Sequence, residues 1–191
     1  MIRTFIAIRI PEQTREAIAA VQQALRAHGA RVRWVKPHSI HLTLKFLGNI
    51  QPEQVDDIAA AINQATSGEA VFTLRATTLG GFPNLRKPRV IWLGLQGEIV
   101  PLLRLQARLE DELESIGFPR EKRPFKPHLT IGRIRDRRSQ QDLSQLVAAI
   151  PLTEFNPFDV QEIILYKSDL RPTGAIYTEL RHIPLAAPAS R

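Results

Sequence analysis

The 191-residue chain contains no cysteine. This excludes disulfide staples, thiolate nucleophiles and cysteine-ligated metal centres. It accords with a reducing compartment, so a cytoplasmic location is expected. No apolar run approaches transmembrane length, and Met1 to Phe5 lead into an alternating pattern without the basic start and apolar stretch of a signal peptide. No membrane role is therefore expected. A P-loop or other glycine-rich phosphate cradle is missing, which argues against an ATP-driven ligase. Neither His-x-x-x-His nor a carboxylate cluster stands near any candidate site, so neither a resident metal nor another cofactor is expected. Acidic residues are in deficit, 19 Asp and Glu against 26 Lys and Arg, for a net charge of +7 and a pI near 10.4. A basic excess of this size attracts polyanions, of which nucleic acid is the usual one.

Against these absences stands a repeated device. Between Ser39 and Gly48, Ile40, Leu42, Leu44 and Phe46 alternate with His41, Thr43 and Lys45. Strict period-2 alternation predicts a half-buried strand, the even side chains in a core and His41 and Thr43 side by side on the other face, about 7 Å apart. The stretch His128-Leu129-Thr130-Ile131-Gly132-Arg133 repeats His-apolar-Thr-apolar 87 residues later, and each copy follows a Lys-Pro shortly before it. With 11 Thr in the chain, two such pairs with apolar residues at all four intervening positions arise by chance about once in a thousand sequences of this make-up. Two imidazoles, each with a hydroxyl on its own strand face, suit acid–base chemistry at a phosphate.

The rest of the chain predicts strands over 2–10, 31–35, 71–79, 89–95, 128–134, 160–167 and 175–183, besides the first motif strand. Helices are predicted over 12–28, 52–65, 98–116 and 141–150, with apolar stripes such as Leu102, Leu105, Leu109, Leu113 and Ile116. Turns are expected at Gly80 to Asn84, at Arg135 to Arg138 and at Pro172-Thr173-Gly174, and 186–191 reads as a loose tail. Each half runs helix, basic loop, motif strand, helix, further strands, and no linker divides them. The expected fold class is α+β: residues 1–191 as one domain of two similar lobes, with mostly antiparallel sheets flanked by helices.

The two motifs resemble those of the two-histidine (2H) phosphoesterases, most closely the RNA 2′,3′-cyclic phosphodiesterases, or 2′-5′ RNA ligase-like proteins. The resemblance rests on His41-Leu42-Thr43-Leu44 with Lys45-Phe46-Leu47-Gly48, and on His128-Leu129-Thr130-Ile131 with Gly132-Arg133. Arg3 to Ile8 and Leu165 to Leu170 are similar as well. It implies a pseudo-two-fold arrangement with both motifs lining a cleft, and metal-free opening of 2′,3′-cyclic phosphate ends to 2′-phosphates. It further implies that His41 is the proton donor and His128 the proton acceptor. Thr43 and Thr130 are then hydrogen-bond donors to the phosphate. Arg133, three positions after Thr130, lies at an odd offset and would point away from His128 in an unbroken strand. A bulge at Gly132 would turn it back to neutralise the phosphate.

The implied partner is an RNA with a 2′,3′-cyclic phosphate end, including tRNA fragments, or a small cyclic nucleotide, and a monomer is expected. Action on 2′-5′ linkages and a non-catalytic RNA-binding module are the alternatives. Arg31, Arg33, Lys36, Lys45, Arg120, Lys122, Arg123 and Lys126 cluster around the motifs and are candidates for an RNA groove. Trp34, Phe82, Phe125 and Tyr166 are stacking candidates, with core packing the competing role for each. His28, His38 and His182 lie off the motif pattern and are expected to be structural.

Overall fold

A computed structural model describes residues 1–134, 141–150, 155–172 and 174–187. Strand β1 (Ile2–Arg9) leads into helix α1 (Glu12–Ala27), short strand β2 (Arg33–Trp34) and the first motif strand β3 (His41–Ile50). A 3-10 turn at Pro52–Gln54 opens helix α2 (Val55–Thr66), followed by β4 (Phe72–Phe82), β5 (Val90–Gly97) and helix α3 (Ile99–Ser115). The second motif strand is β6 (His128–Arg133). Helix α4 (Ser144–Ala149) and strands β7 (Phe158–Val160), β8 (Glu162–Arg171) and β9 (Gly174–Pro184) complete the order.

These elements form two sheets with strand orders β3-β1-β8-β9 and β2-β6-β5-β4-β7, every ladder between strands antiparallel. The expected α+β class with two similar antiparallel sheets is therefore what the chain adopts. The sheets correspond strand for strand: β1 with β5, β3 with β6, β8 with β4 and β9 with β7, leaving β2 as an addition to the second sheet. The motif strands β3 and β6 approach each other with Cα atoms within 8 Å, so 87 residues of chain close into one site.

The helices bury the stripes their spacing predicts. Ile18, Val21 and Leu25 of α1 and Leu102, Leu105, Leu109 and Leu113 of α3 are almost wholly enclosed. Ile116 falls beyond the end of α3 and is 38 % exposed, so it does not extend the stripe. Several boundaries also shift. Gly80, Gly81 and Phe82 continue β4 rather than forming a turn, and α4 covers only the middle of the 141–150 segment. The segment expected as strand 31–35 pairs only at Arg33 and Trp34. Leu185 is buried and Ala186 bridges to Ala70, so the expected loose tail is tied down at its start. Arg135 to Arg138, Thr173 and residues 188–191 lie outside the described residues.

The largest correction falls inside the first motif strand. Lys45, expected beside His41 and in the RNA groove, is 5 % exposed, whereas Phe46, expected in the core, is 63 % exposed. The cause is a β-bulge. In the β1–β3 ladder Ala7 faces Thr43 and Ile6 faces Lys45, so Leu44 is an extra residue and the side-chain phase inverts after it. Strand β6 carries the same bulge. Trp92 faces Thr130 and Ile91 faces Gly132, leaving Ile131 as the extra residue. Leu44-Lys45 and Ile131-Gly132 are accordingly consecutive buried pairs.

Each bulge is braced by a buried polar side chain on a helix distant in sequence. The Gln22 amide of α1 donates to the Ile131 carbonyl at 2.9 Å and to the Val35 carbonyl at 2.8 Å. Glu110 of α3 forms a buried ion pair with the Lys45 ammonium, which also donates to the Pro119 carbonyl at 2.8 Å. A buried lysine is tolerable only when paired and hydrogen-bonded in this way.

Candidate active site

His41 and His128 open β3 and β6, and each imidazole is half-buried. The same local contact orients both rings. His41 Nδ1 donates to the Ser39 carbonyl at 2.9 Å, and His128 Nδ1 donates to the Lys126 carbonyl at 2.6 Å. A carbonyl can only accept, so Nδ1 carries the proton and Nε2 is the nitrogen left for chemistry: a base when the ring is neutral, an acid when it is charged.

Both rings line one cleft of about 910 Å³, together with Thr43, Thr130 and Arg133. All five sequence-predicted site residues therefore meet in one place. Arg133 reaches it because the Ile131 bulge reverses the strand phase; the expected kink lies one residue before glycine. Gly132 has a separate constraint, since a Cβ there would sit 2.4 Å from Val32 Cγ1, just before β2, which pairs with β6 at this point.

Arg3, Arg33, Lys36, Arg133 and Arg171 line the cleft, and among the described residues no Asp or Glu does. Among the described residues no group of three or more His, Asp or Glu converges as a metal site requires. The electrostatics favour an anion. Of the eight basic residues proposed for a groove, Arg33 and Lys36 are in the lining. Lys45 is buried against Glu110, Arg120 pairs with Asp111 and Glu114, and Arg31, Lys122, Arg123 and Lys126 are exposed elsewhere. Arg3 and Arg171 were missed. Arg3 shares the odd-numbered face of β1 with Phe5, a face visible in the alternation, whereas Arg171 is delivered by the β8–β9 hairpin register.

The aromatic surroundings differ between the histidines. Phe5 stacks on His41 at 4.7 Å and on Tyr166 at 5.2 Å, while Tyr177 meets His41 edge-on at 5.1 Å. His128 meets Phe82 edge-on at 5.1 Å and lies 6.5 Å from Trp92. Of the stacking candidates, only Trp34 lines the cleft; Tyr166 lies beneath Phe5, Phe82 beside His128, and Phe125 packs on the core. Phe5, Phe46 and Tyr177 are the cleft aromatics that sequence reasoning missed. The remaining histidines lie apart. His28 caps α1 through the Ala24 carbonyl, His182 sits between Glu162 and Glu179, and exposed His38 is outside the lining.

Burial sets the protonation of the pair. Loss of hydration under Phe5 pushes His41 down to about 4, partly opposed by the Ser39 carbonyl and reinforced by the Arg133 charge. Burial also lowers His128, opposed by the Lys126 carbonyl and again reinforced by Arg133. One guanidinium thus acts on both rings.

Two antiparallel sheets that present matching His-x-Thr strands to a shared basic cleft define a two-histidine phosphoesterase architecture. The chain belongs to the LigT-like phosphoesterase family, whose model matches it twice, over residues 8–92 and 93–177. Among its relatives, an RNA 2′,3′-cyclic phosphodiesterase of Methanothermobacter thermautotrophicus is 32% identical over 94% of this chain and 96% of its own length. One of Thermus thermophilus is 33% identical over 96% of this chain and 90% of its own. The crystal structure of E. coli LigT complexed with 3′-AMP superposes with a TM-score of 0.75 at 27% identity, covering 96% of this chain and 98% of that one.

Proposed function

We propose that this protein hydrolyses RNA 2′,3′-cyclic phosphate ends to 2′-phosphomonoesters by paired histidine acid–base catalysis, without a metal. The observation that carries the reading is the placement of two imidazoles, each with Nδ1 tied to a carbonyl, in one cleft lined by cations and, among the described residues, by no carboxylate. Relatives at about one-third identity bear the name of this activity, and a related structure holds a nucleoside monophosphate.

In this mechanism a water attacks phosphorus opposite the 3′ oxygen and gives its proton to His128 Nε2. The bond from phosphorus to the 3′ oxygen breaks, and His41 Nε2–H supplies the proton that this oxygen needs to leave as a hydroxyl. The phosphate remains on the 2′ oxygen, and exchange with solvent resets both rings. Thr43 and Thr130 donate to the non-bridging oxygens, and Arg133 balances the charge that accumulates there. A donor with a pKa near 4 is uncharged at neutral pH in the empty cleft. The anionic phosphodiester reverses this, because a negative charge beside an imidazole favours its protonated form.

Purified protein offered a 2′,3′-cyclic-phosphate RNA end in the presence of a chelator tests the reading. The expected product carries a 2′-phosphate. His41→Ala and His128→Ala should each lose about 10²–10⁴ in rate. Only His41→Ala should recover on a phosphodiester with an aryl leaving group, which departs without a proton. Native rates in both variants would overturn the catalytic assignment.

A further inference from the structure

Helix α1 buries one side chain that its apolar stripe does not call for. Gln22 is 2 % exposed and stands among Ile18, Val21 and Leu25. A buried amide is costly unless it is hydrogen-bonded, so its partners define its role. Both are main-chain carbonyls, Ile131 at 2.9 Å and Val35 at 2.8 Å. Carbonyls only accept, so the Gln22 amide nitrogen spends both of its hydrogens here. The Val35 N–H donates to the same Ile131 carbonyl at 3.0 Å. Three hydrogen bonds thus link Gln22, Val35 and Ile131, and Ile131 is the extra residue of the β6 bulge.

We propose that Gln22 is a positioning residue for the reaction: by holding the Ile131 carbonyl it maintains the bulge that aims Arg133 into the cleft. This deepens the cyclic phosphodiesterase reading and rests on it. Arg133 faces the cleft only because the bulge inverts the side-chain phase of β6; in an unbulged strand it would point to the other face. A bulge takes its extra residue out of the ladder, so that residue's carbonyl needs donors from elsewhere. Gln22 supplies one of them from outside the sheet. His128 and Thr130 precede the bulge, where β6 keeps its register with β5 from Gly94 to Trp92. The ladder positions those two without help from α1. Loss of the Gln22 amide therefore falls on Arg133, beyond the bulge, and spares the start of the strand. Gln22 touches neither imidazole nor phosphate, and it acts through the guanidinium alone.

A double-mutant cycle on the full chain tests this. Gln22→Met keeps the bulk of the side chain and removes both donors. With a 2′,3′-cyclic-phosphate RNA end, it should lower kcat of the folded fraction about tenfold to a hundredfold. In an Arg133→Gln background the same substitution should lower kcat no further, because the group it aims is already gone. A merely structural amide would cost the same factor in both backgrounds. That result, or a native kcat in Gln22→Met, would overturn the assignment. Gln22→Asn, whose amide is one carbon too short to reach both carbonyls, runs the same cycle if the methionine variant does not fold. The ligand-free protein gives a second readout, NMR titration of the His41 and His128 rings. Both should titrate higher in the Gln22 variant than in the wild type, since the Arg133 charge helps hold them down. Arg133→Gln and the double variant should titrate alike. Rings unmoved by the Gln22 substitution would also overturn the assignment. A wild type inert toward the cyclic phosphate, with rings that still respond, would remove the phosphodiesterase reading while upholding the placement of Arg133 by Gln22.

Discussion

Strands β3 and β6 begin alike and end differently. Each starts with a histidine whose Nδ1 donates to the carbonyl two residues back, continues with an apolar residue and a threonine, and then bulges. Beyond the bulge β3 places Lys45 inward and Phe46 in the cleft, whereas β6 places Gly132 inward and Arg133 in the cleft. In the proposed mechanism, opening a cyclic diester needs two groups that move protons on opposite sides of phosphorus, and the duplicated strands would supply them. It also needs the sides to be unequal, since one faces a nucleoside and the other a water. The shared half of each strand presents the two candidate imidazoles, and the divergent half makes the sides different.

The inward pair separates folding from chemistry most sharply. Lys45 is enclosed, and its partners are Glu110 and the Pro119 carbonyl. Removing one member of a buried ion pair strands the other charge, at a cost of about 3–5 kcal/mol. Lys45→Met should lower unfolding stability by that amount in denaturant titration while the folded fraction keeps its kcat. The double variant Lys45→Met/Glu110→Leu should regain most of the loss, because apolar packing can replace a buried pair. Loss of activity at native stability would mean that Lys45 belongs to the cleft after all.

This pair also marks where the chain stopped being legible. Alternation placed His41 with Thr43 and His128 with Thr130 correctly, because successive strand side chains must point to opposite faces. It failed from Lys45 onward in β3, since Leu44 carries no local sign of a bulge. Gly132 hinted at one in β6, and through it Arg133 was aimed into the site. The helices were legible from their leucine and isoleucine stripes. Their cross-chain braces were not: Gln22 holds Ile131 across 109 residues and Lys45 meets Glu110 across 65, and no local pattern encodes such separations. Tyr177 likewise enters the site only through the pairing of β9 with β8.

The cleft-facing pair predicts a second, somewhat smaller effect. Arg133→Gln should reduce kcat by about 10²–10³, the usual loss when a fixed donor to a developing charge is removed. It should also move both limbs of the kcat/KM pH profile upward, because the Arg133 charge helps hold down both imidazoles in the free protein. In the wild type those limbs should lie below 6.5. A variant with the expected rate loss but unmoved limbs would place the guanidinium on the phosphate alone.

The smallest effect contrasts the histidines themselves. In the folded protein His41 titrates near 4, against about 6.5 in the unfolded chain. As pH falls below 6.5 the unfolded state binds a proton that the folded state refuses, so stability present at neutral pH drains away down to about pH 4 and levels off below. His41 contributes at most about 3 kcal/mol to this loss, less in practice because its ring is part-exposed and solvent-screened. His128, also lowered by burial, acts in the same direction. Replacing His41 with Phe keeps a ring on Phe5 and removes the titration. Denaturant unfolding between pH 6.5 and 5, above most carboxylate titration, should therefore show a shallower slope in His41→Phe than in the wild type. The aromatic stack of the first lobe desolvates its imidazole, and an unchanged slope would show that the Phe5 stack does not burden His41 in this way.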